Sequence, residues 1–167
     1  MLKPLFKPDF YYDSIFCIPY GELYEQGMRG LVYDIDNTLV SHADKHPPSK
    51  ILNLVEELQD LGFQLGLLSN NTGRRLEEFN KSMGLRGASM AAKPFTQVFR
   101  RLMNEMSVSP HETAIIGDQL FADIWCGKRT GVTTILVKPI TEKEVITVRM
   151  KRGLERWTLR RYYGPGV

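Results

Sequence analysis

Five short stretches of this 167-residue chain carry residue types that could do chemistry: Asp34-Ile35-Asp36-Asn37-Thr38, Ser69-Asn70, Lys93-Pro94, Gly117-Asp118 and, five residues further on, Asp123. Together they offer several carboxylates, a hydroxyl, an amide and one lysine, an inventory that suits phosphoryl transfer. A phosphate monoester repels a carboxylate nucleophile, so attack by an aspartate needs a divalent cation and a positive side chain to offset the field. Asp34, Asp118 and a backbone carbonyl are hard oxygen ligands of the kind Mg²⁺ takes, with water and substrate oxygens completing an octahedron. Lys93 is a point charge for nucleophile and phosphate. Asp36, two residues beyond Asp34, is placed to protonate a leaving oxygen and then to deprotonate an attacking water. Ser69 and backbone N–H groups at helix starts suit the remaining phosphate oxygens.

These residues act together only if the fold brings them to one place. Residues 31–35, 64–68, 113–116 and 132–137 are short apolar runs that predict strands buried on both faces, with 88–91 a weaker fifth. Between them lie segments with apolar residues at helical spacing. Ile51, Val55 and Leu58 share a face widened by Leu54 and Leu61; Leu76, Phe79 and Met83 precede a helix-ending Gly84. Phe95, Val98, Phe99, Leu102, Met103 and Met106 give the cleanest amphipathic pattern, and a shorter helix over 119–126 is expected to stop at Gly127. Such alternation predicts an α/β fold, a Rossmann-like parallel sheet with helices on both faces. Chemistry in such sheets collects at the carboxyl ends of the strands, where all five stretches fall.

Composition narrows the class. With 43% hydrophobic and 25% charged residues, the chain suits a single domain over residues 1–167 with an amino-terminal arm (about 1–29) and a carboxy-terminal tail (about 141–167). Cys17 and Cys126 are too few for a disulfide scaffold or a cysteine-rich zinc site, and read as inert core residues. Pro4 and Pro8 interrupt any secretory apolar stretch, and no run is long enough to cross a bilayer, so the expected location is cytoplasmic, with contact at a membrane periphery left open. The net charge of +3 is uneven: residues 138–161 hold eight basic and three acidic side chains, leaving the rest slightly acidic. A helix is expected to start at the Thr141-Glu142-Lys143-Glu144 capping box. Its basic residues, mixed with Trp157, Tyr162 and Tyr163, suit an anionic membrane surface, RNA, or a solvated face docking the last helix.

The ordered stretches resemble the four motifs of the haloacid dehalogenase superfamily of hydrolases. Asp34-Ile35-Asp36-Asn37-Thr38 is similar to its first motif, Ser69 to its second, Lys93 before Pro94 to its third, and Gly117-Asp118 with Asp123 to its fourth. More narrowly, Asp-Ile-Asp-Asn-Thr-Leu with Gly-Asp-Gln-Leu-Phe-Ala-Asp-Ile and a later Thr-Ile-Leu-Val resembles the YqeG-like phosphatases of subfamily IIIA, which are similar to phosphatidylglycerophosphate phosphatases. The resemblance implies Asp34 as nucleophile and metal ligand, and Asp36 as general acid/base that also binds Mg²⁺ through its carbonyl. It implies Asp118 as a further ligand, Thr38 and Asp123 in support (the latter through water), and Ser69, Asn70 and Lys93 on the phosphoryl group.

Members of that superfamily that close over small substrates insert a cap after the first motif or between the second and third. Here the gaps are 31 residues from Thr38 to Ser69 and 23 from Asn70 to Lys93, each consumed by a crossover helix or by a helix and short strand. An uncapped site implies a large or surface-bound substrate such as a lipid phosphate, or a cover supplied by a partner subunit in a homo-oligomer. The alternative is a non-catalytic RNA-binding or assembly factor on the same fold, against which the complete set Asp34, Asp36, Lys93 and Asp118 counts. Asp123 on a short helix also suits a merely solvated carboxylate, and Asn37 and Asn71 suit turns. His42 and His46 suit a solvated loop beside the site better than a metal pair, and His111 a surface turn. The aromatics Phe6, Phe10, Tyr11, Tyr12 and Phe16 are expected to pack the arm on the domain.

Overall fold

The computed structural model describes residues 5–141 and, beyond them, residues 153, 157, 158 and 160–162. Six strands form one wholly parallel sheet: β1 (Phe10–Tyr12), β2 (Gly30–Tyr33), β3 (Gln64–Leu68), β4 (Arg86–Ala88), β5 (Thr113–Gly117) and β6 (Thr133–Val137), in the spatial order β1-β6-β5-β2-β3-β4. Within the described residues up to 141, five α-helices accompany it: α1 (Tyr20–Glu25), α2 (Ser49–Asp60), α3 (Gly73–Asn80), α4 (Gln97–Glu105) and α5 (Trp125–Thr130). The sheet order places β2, which leads into the first acidic stretch, between β3 and β5, so three motif-bearing strands are adjacent.

Strand periodicity divides the core. Leu31, Tyr33, Leu65, Leu67, Ala114, Ile116 and Ile135 point to the face covered by Tyr20, Leu23, Ile51, Leu58, Leu76 and Phe79 from α1, α2 and α3. Val32, Leu68 and Ile115, one residue out of phase, meet Phe99, Leu102, Met103 and Cys126 from α4 and α5. Both faces are thus helix-covered, and the polar motifs are left for the carboxyl edge. No helix among the described residues is long and apolar enough to cross a membrane.

Several details depart from the sequence expectation. The arm does more than pack on the domain: residues 10–12 extend the sheet beyond β6, with Asp9 bonded to the Thr134 amide at 2.9 Å and to Lys128 at 2.6 Å. Phe6 contacts Phe121 and Trp125, whereas Phe16 stays exposed beside Lys50. The weak fifth strand lies at 86–88, not 88–91. Leu61 and Phe95 are exposed beyond the ends of α2 and α4, and do not extend their buried faces. Cys17 is exposed, although Cys126 is buried and burial pushes its thiol up to about 11. The predicted helix from Thr141 lies outside the described residues, apart from a few helical positions near Trp157.

The largest departure follows β5. Instead of one helix stopping at Gly127, a wide π-helical turn over Leu120–Ile124 leads into α5, which ends at Gly131 in the left-handed conformation. Gly127 sits inside α5 because a Cβ there would lie 2.5 Å from methyls of both Ile115 and Thr134. Gly127→Ala is therefore expected to lower stability by about 2 kcal/mol net, overpacking of roughly 3 outweighing a helix-propensity gain of about 1. Urea unfolding checks the sign; a stabilised variant would show that α5 can move off the sheet.

Candidate active site

Asp34 follows β2 directly and continues its ladder, its amide bonding the Ile116 carbonyl at 2.9 Å. The chain then turns sharply: the Leu39 and Val40 amides return to the Ile35 carbonyl, and Asn37, at φ +64°, bonds Val40. That left-handed residue is the turn expected of Asn37, and its side chain and carbonyl also take Thr141 and Ile140. Asp36 stands on the outer side of this turn and Thr38 on the inner, where Thr38 Oγ1 donates to Asp118 Oδ1 at 3.3 Å. Gly117 ends β5 bare because a Cβ would overlap the Asp123 carboxylate.

Lys93 lies at the centre. Its Nζ donates to Asp34 Oδ1 at 2.6 Å, to Asp123 Oδ1 at 2.6 Å and to the Leu68 carbonyl at 2.9 Å, which uses all three of its protons. Asp123 Oδ2 accepts from the Gln119 amide, so Asp123 is fully buried as the anchor of Lys93; this removes the solvated reading of that residue. Asn70 is exposed, yet its Oδ1 accepts from the Lys93 amide at 2.8 Å and holds the lysine loop against β3. Ser69 is buried, its hydroxyl accepting from the Asn71 amide at 3.0 Å. All eight sequence-nominated residues thus lie at one edge of the sheet.

The electrostatics are unbalanced. Asp34, Asp118 and Asp123 place one carboxylate oxygen each within 4.8 Å of one another, against a single buried lysine. Burial pushes Asp34 well above the usual carboxylate range, Lys93 opposes this, and Asp123 and Asp118 add to it. Burial alone would lower Lys93, but Asp123 and Asp34 outweigh it and hold the ammonium above its ordinary value. Asp34 Oδ2 is buried without a hydrogen-bond partner. The orphaned Asp34 oxygen and an all-oxygen donor set of three converging carboxylates fit one hard divalent cation.

Three neighbours of Asp36 went unrecognised or under-rated in the sequence. Arg75 on α3 reaches Asp36 Oδ1 at 3.2 Å, and nothing in the sequence distinguishes it from the adjacent Arg74. His42 also approaches Asp36 Oδ1 at 3.2 Å, while His46 remains an exposed loop residue. Asn71, expected only in a turn, places Nδ2 3.4 Å from Asp36 Oδ2.

Known proteins resemble this chain in sequence and fold. The family model described as "Haloacid dehalogenase-like hydrolase" matches residues 32–137. The chain is 33% identical over 156 residues to "Probable phosphatase YqeG" of Bacillus subtilis, covering 93% of this chain and 91% of that one. It is 24% identical to "Phosphatidylglycerophosphate phosphatase 1, chloroplastic/mitochondrial" of Arabidopsis thaliana, over 90% of this chain but 46% of the plant protein. Among solved structures, a HAD phosphatase from Thermococcus onnurineus aligns with a TM-score of 0.54 at 15% identity, over 71% of this chain and 90% of that one. The cobalt-bound deoxy-D-mannose-octulosonate 8-phosphate phosphatase of Haemophilus influenzae aligns at 0.53 and 17% identity, over 81% and 89%.

Proposed function

Because the chain belongs to the haloacid dehalogenase-like hydrolase family and is a phosphatase, we propose that it is a Mg²⁺-dependent phosphomonoester hydrolase working through an aspartyl-phosphate on Asp34. The observation that carries this reading is the buried Lys93 gripping Asp34 Oδ1 while Asp34 Oδ2 is left without a partner. Asp34, the Asp36 carbonyl and Asp118 would hold the cation, which when bound screens the charge of the phosphoryl oxygens. Lys93 fixes the Asp34 rotamer and, with the Ser69 hydroxyl and Asn70, faces the phosphoryl group.

Asp34 attacks phosphorus through a carboxylate oxygen; the bond to the ester oxygen breaks, and Asp36 gives that oxygen its proton. Asp36, now ionised, takes a proton from water, which attacks the same phosphorus. The bond to Asp34 breaks, inorganic phosphate leaves and Asp34 returns as carboxylate. Thr38 steadies Asp118 and Asp123 steadies Lys93 throughout.

The substrate we propose is phosphatidylglycerophosphate or a closely similar lipid phosphate, hydrolysed at a membrane periphery by a protein otherwise in the cytoplasm. Supporting this are the similarity to the plant phosphatase and the open edge: between β2 and β3 lie a turn and α2, and between β3 and Lys93 only α3 and β4. Exposed Met90, Phe95 and Ile140 on loops at that edge add apolar surface. Phosphate release should be measured from the lipid in mixed micelles, from small phosphomonoesters and from phosphorylated RNA ends, with Mg²⁺ and with EDTA. Release should be greatest from the lipid and fall by about 10²-fold or more with EDTA, since such a cation contributes several kcal/mol. Silence across the panel would return the chain to the RNA-binding or assembly reading.

A further inference from the structure

We propose that Arg75 is the positioning residue for Asp36: its guanidinium, with Asn71, fixes the carboxylate in the orientation from which it serves the leaving group. This rests on the general acid/base role proposed above for Asp36. Asp36 is the one acidic motif residue outside the buried cluster, its side chain 19% exposed, and a carboxylate at such a site would otherwise sample several rotamers. Three donors surround it. Arg75 NH2 lies 3.2 Å from Oδ1, Asn71 Nδ2 3.4 Å from Oδ2, and His42 Nδ1 3.2 Å from Oδ1. The His42 side chain is 73% exposed, so water competes for that contact and it contributes little. Arg75 is different, with only 13% of its side chain exposed.

Arg75 is placed at a cost. Its NH1 is buried without a hydrogen-bond partner, a deficit that contact with the Phe79 ring 5.7 Å away offsets only in part. An apolar side chain of similar length would serve the interior of α3 better. Holding NH2 on Asp36 is the return, and local rules are broken in this way at functional sites. The two elements joined are otherwise held independently: Leu76 and Phe79 seat α3, and the Asn37–Val40 and Val40–Ile35 amide bonds close the turn that carries Asp36. Removing Arg75 thus frees the carboxylate without dismantling its surroundings. Contacts on opposite oxygens fix the carboxylate plane, and Oδ2, bonded to Asn71, keeps a second lone pair for the proton the carboxyl must carry.

The test separates substrates by leaving group. An alkyl phosphate needs its departing oxygen protonated, whereas p-nitrophenyl phosphate expels an oxyanion stable without a proton. In Arg75→Met, kcat/KM for an alkyl phosphomonoester should fall by about 10²-fold, the effect of misplacing a catalytic group by about an ångström. For p-nitrophenyl phosphate the loss should stay within about threefold by the same reasoning, which also shows that the variant is folded. Arg75→Lys should recover part of the alkyl activity by restoring the charge without the planar fork. Equal losses on both substrates, or no loss on the alkyl one, overturn the assignment. Asp36→Asn assayed alongside tells two failures apart. If it is leaving-group selective and Arg75→Met is not, Arg75 has no part; if neither is, the general-acid reading itself falls.

Discussion

Asp34→Asn should abolish phosphate release, by a factor on the order of 10⁵, while the protein stays folded. The substitution is nearly isosteric: the amide oxygen can still accept from Lys93, but the nitrogen cannot attack phosphorus. Folding should not suffer, because Asp34 is held above its ordinary range by burial and by Asp123 and Asp118 despite the nearby Lys93. The sign follows from linkage. A carboxylate whose folded pKa exceeds its unfolded value of about 4 makes stability fall as pH rises above that value. The variant lacks this group, so in metal-free buffer it should match the parent at acid pH and become the more stable as pH climbs towards neutral. Added Mg²⁺ should stabilise the parent and leave the variant nearly unmoved. Full turnover in Asp34→Asn would remove the proposed nucleophile; equal Mg²⁺ stabilisation of both would remove Asp34 from the cation site.

Lys93→Met is the second large effect, and it should damage both activity and stability. The lysine is the cation shared by Asp34 and Asp123, each 2.6 Å away, and both partners are buried. Breaking such a pair from one side typically costs about 3–5 kcal/mol, because carboxylates are left facing one another without compensation. In catalysis the loss of a preorganised charge beside the phosphoryl group should lower kcat by about 10²–10³-fold. Mg²⁺ should recover more stability in this variant than in the parent, since it supplies positive charge to the same carboxylates. Thermal unfolding with and without Mg²⁺, together with kcat on an active substrate, tests both halves. A variant as stable and active as the parent would show that the Asp34–Lys93–Asp123 bridge is dispensable.

Why some of this could be read from the sequence and some could not has a physical basis. Asp34, Ser69 and Asp118 were legible because a parallel sheet buries its strands as apolar runs, so the first polar residue after β2, β3 and β5 marks the functional edge, and Lys93 follows the short β4 by only a few residues. β1 escaped notice because a three-residue strand has no period to detect, and its pairing with β6 is a tertiary contact across 125 residues. Gly127 misled because glycine has two uses: it ends helices, and it admits close approach, and only the distance to Ile115 and Thr134 decides between them. Arg75 was invisible for a similar reason. Beside Arg74 on a charged helix it looks solvated, and its value depends on where α3 lies relative to the turn after β2.

The junction of β1 with β6 also bears on how the protein is made. Phe10–Tyr12 leaves the ribosome more than a hundred residues before Thr133–Val137, so β1 must wait for β6, its neighbour among the described residues of the sheet. Meanwhile β5 and β2 can already lie side by side with an open flank on which a second nascent chain could add. When β6 emerges it covers that flank, and the arm, tied through Asp9 to Thr134 and Lys128, then closes over β6. The earlier-made strand thereby seals the later one, and the sheet waits for β6 before its order is complete.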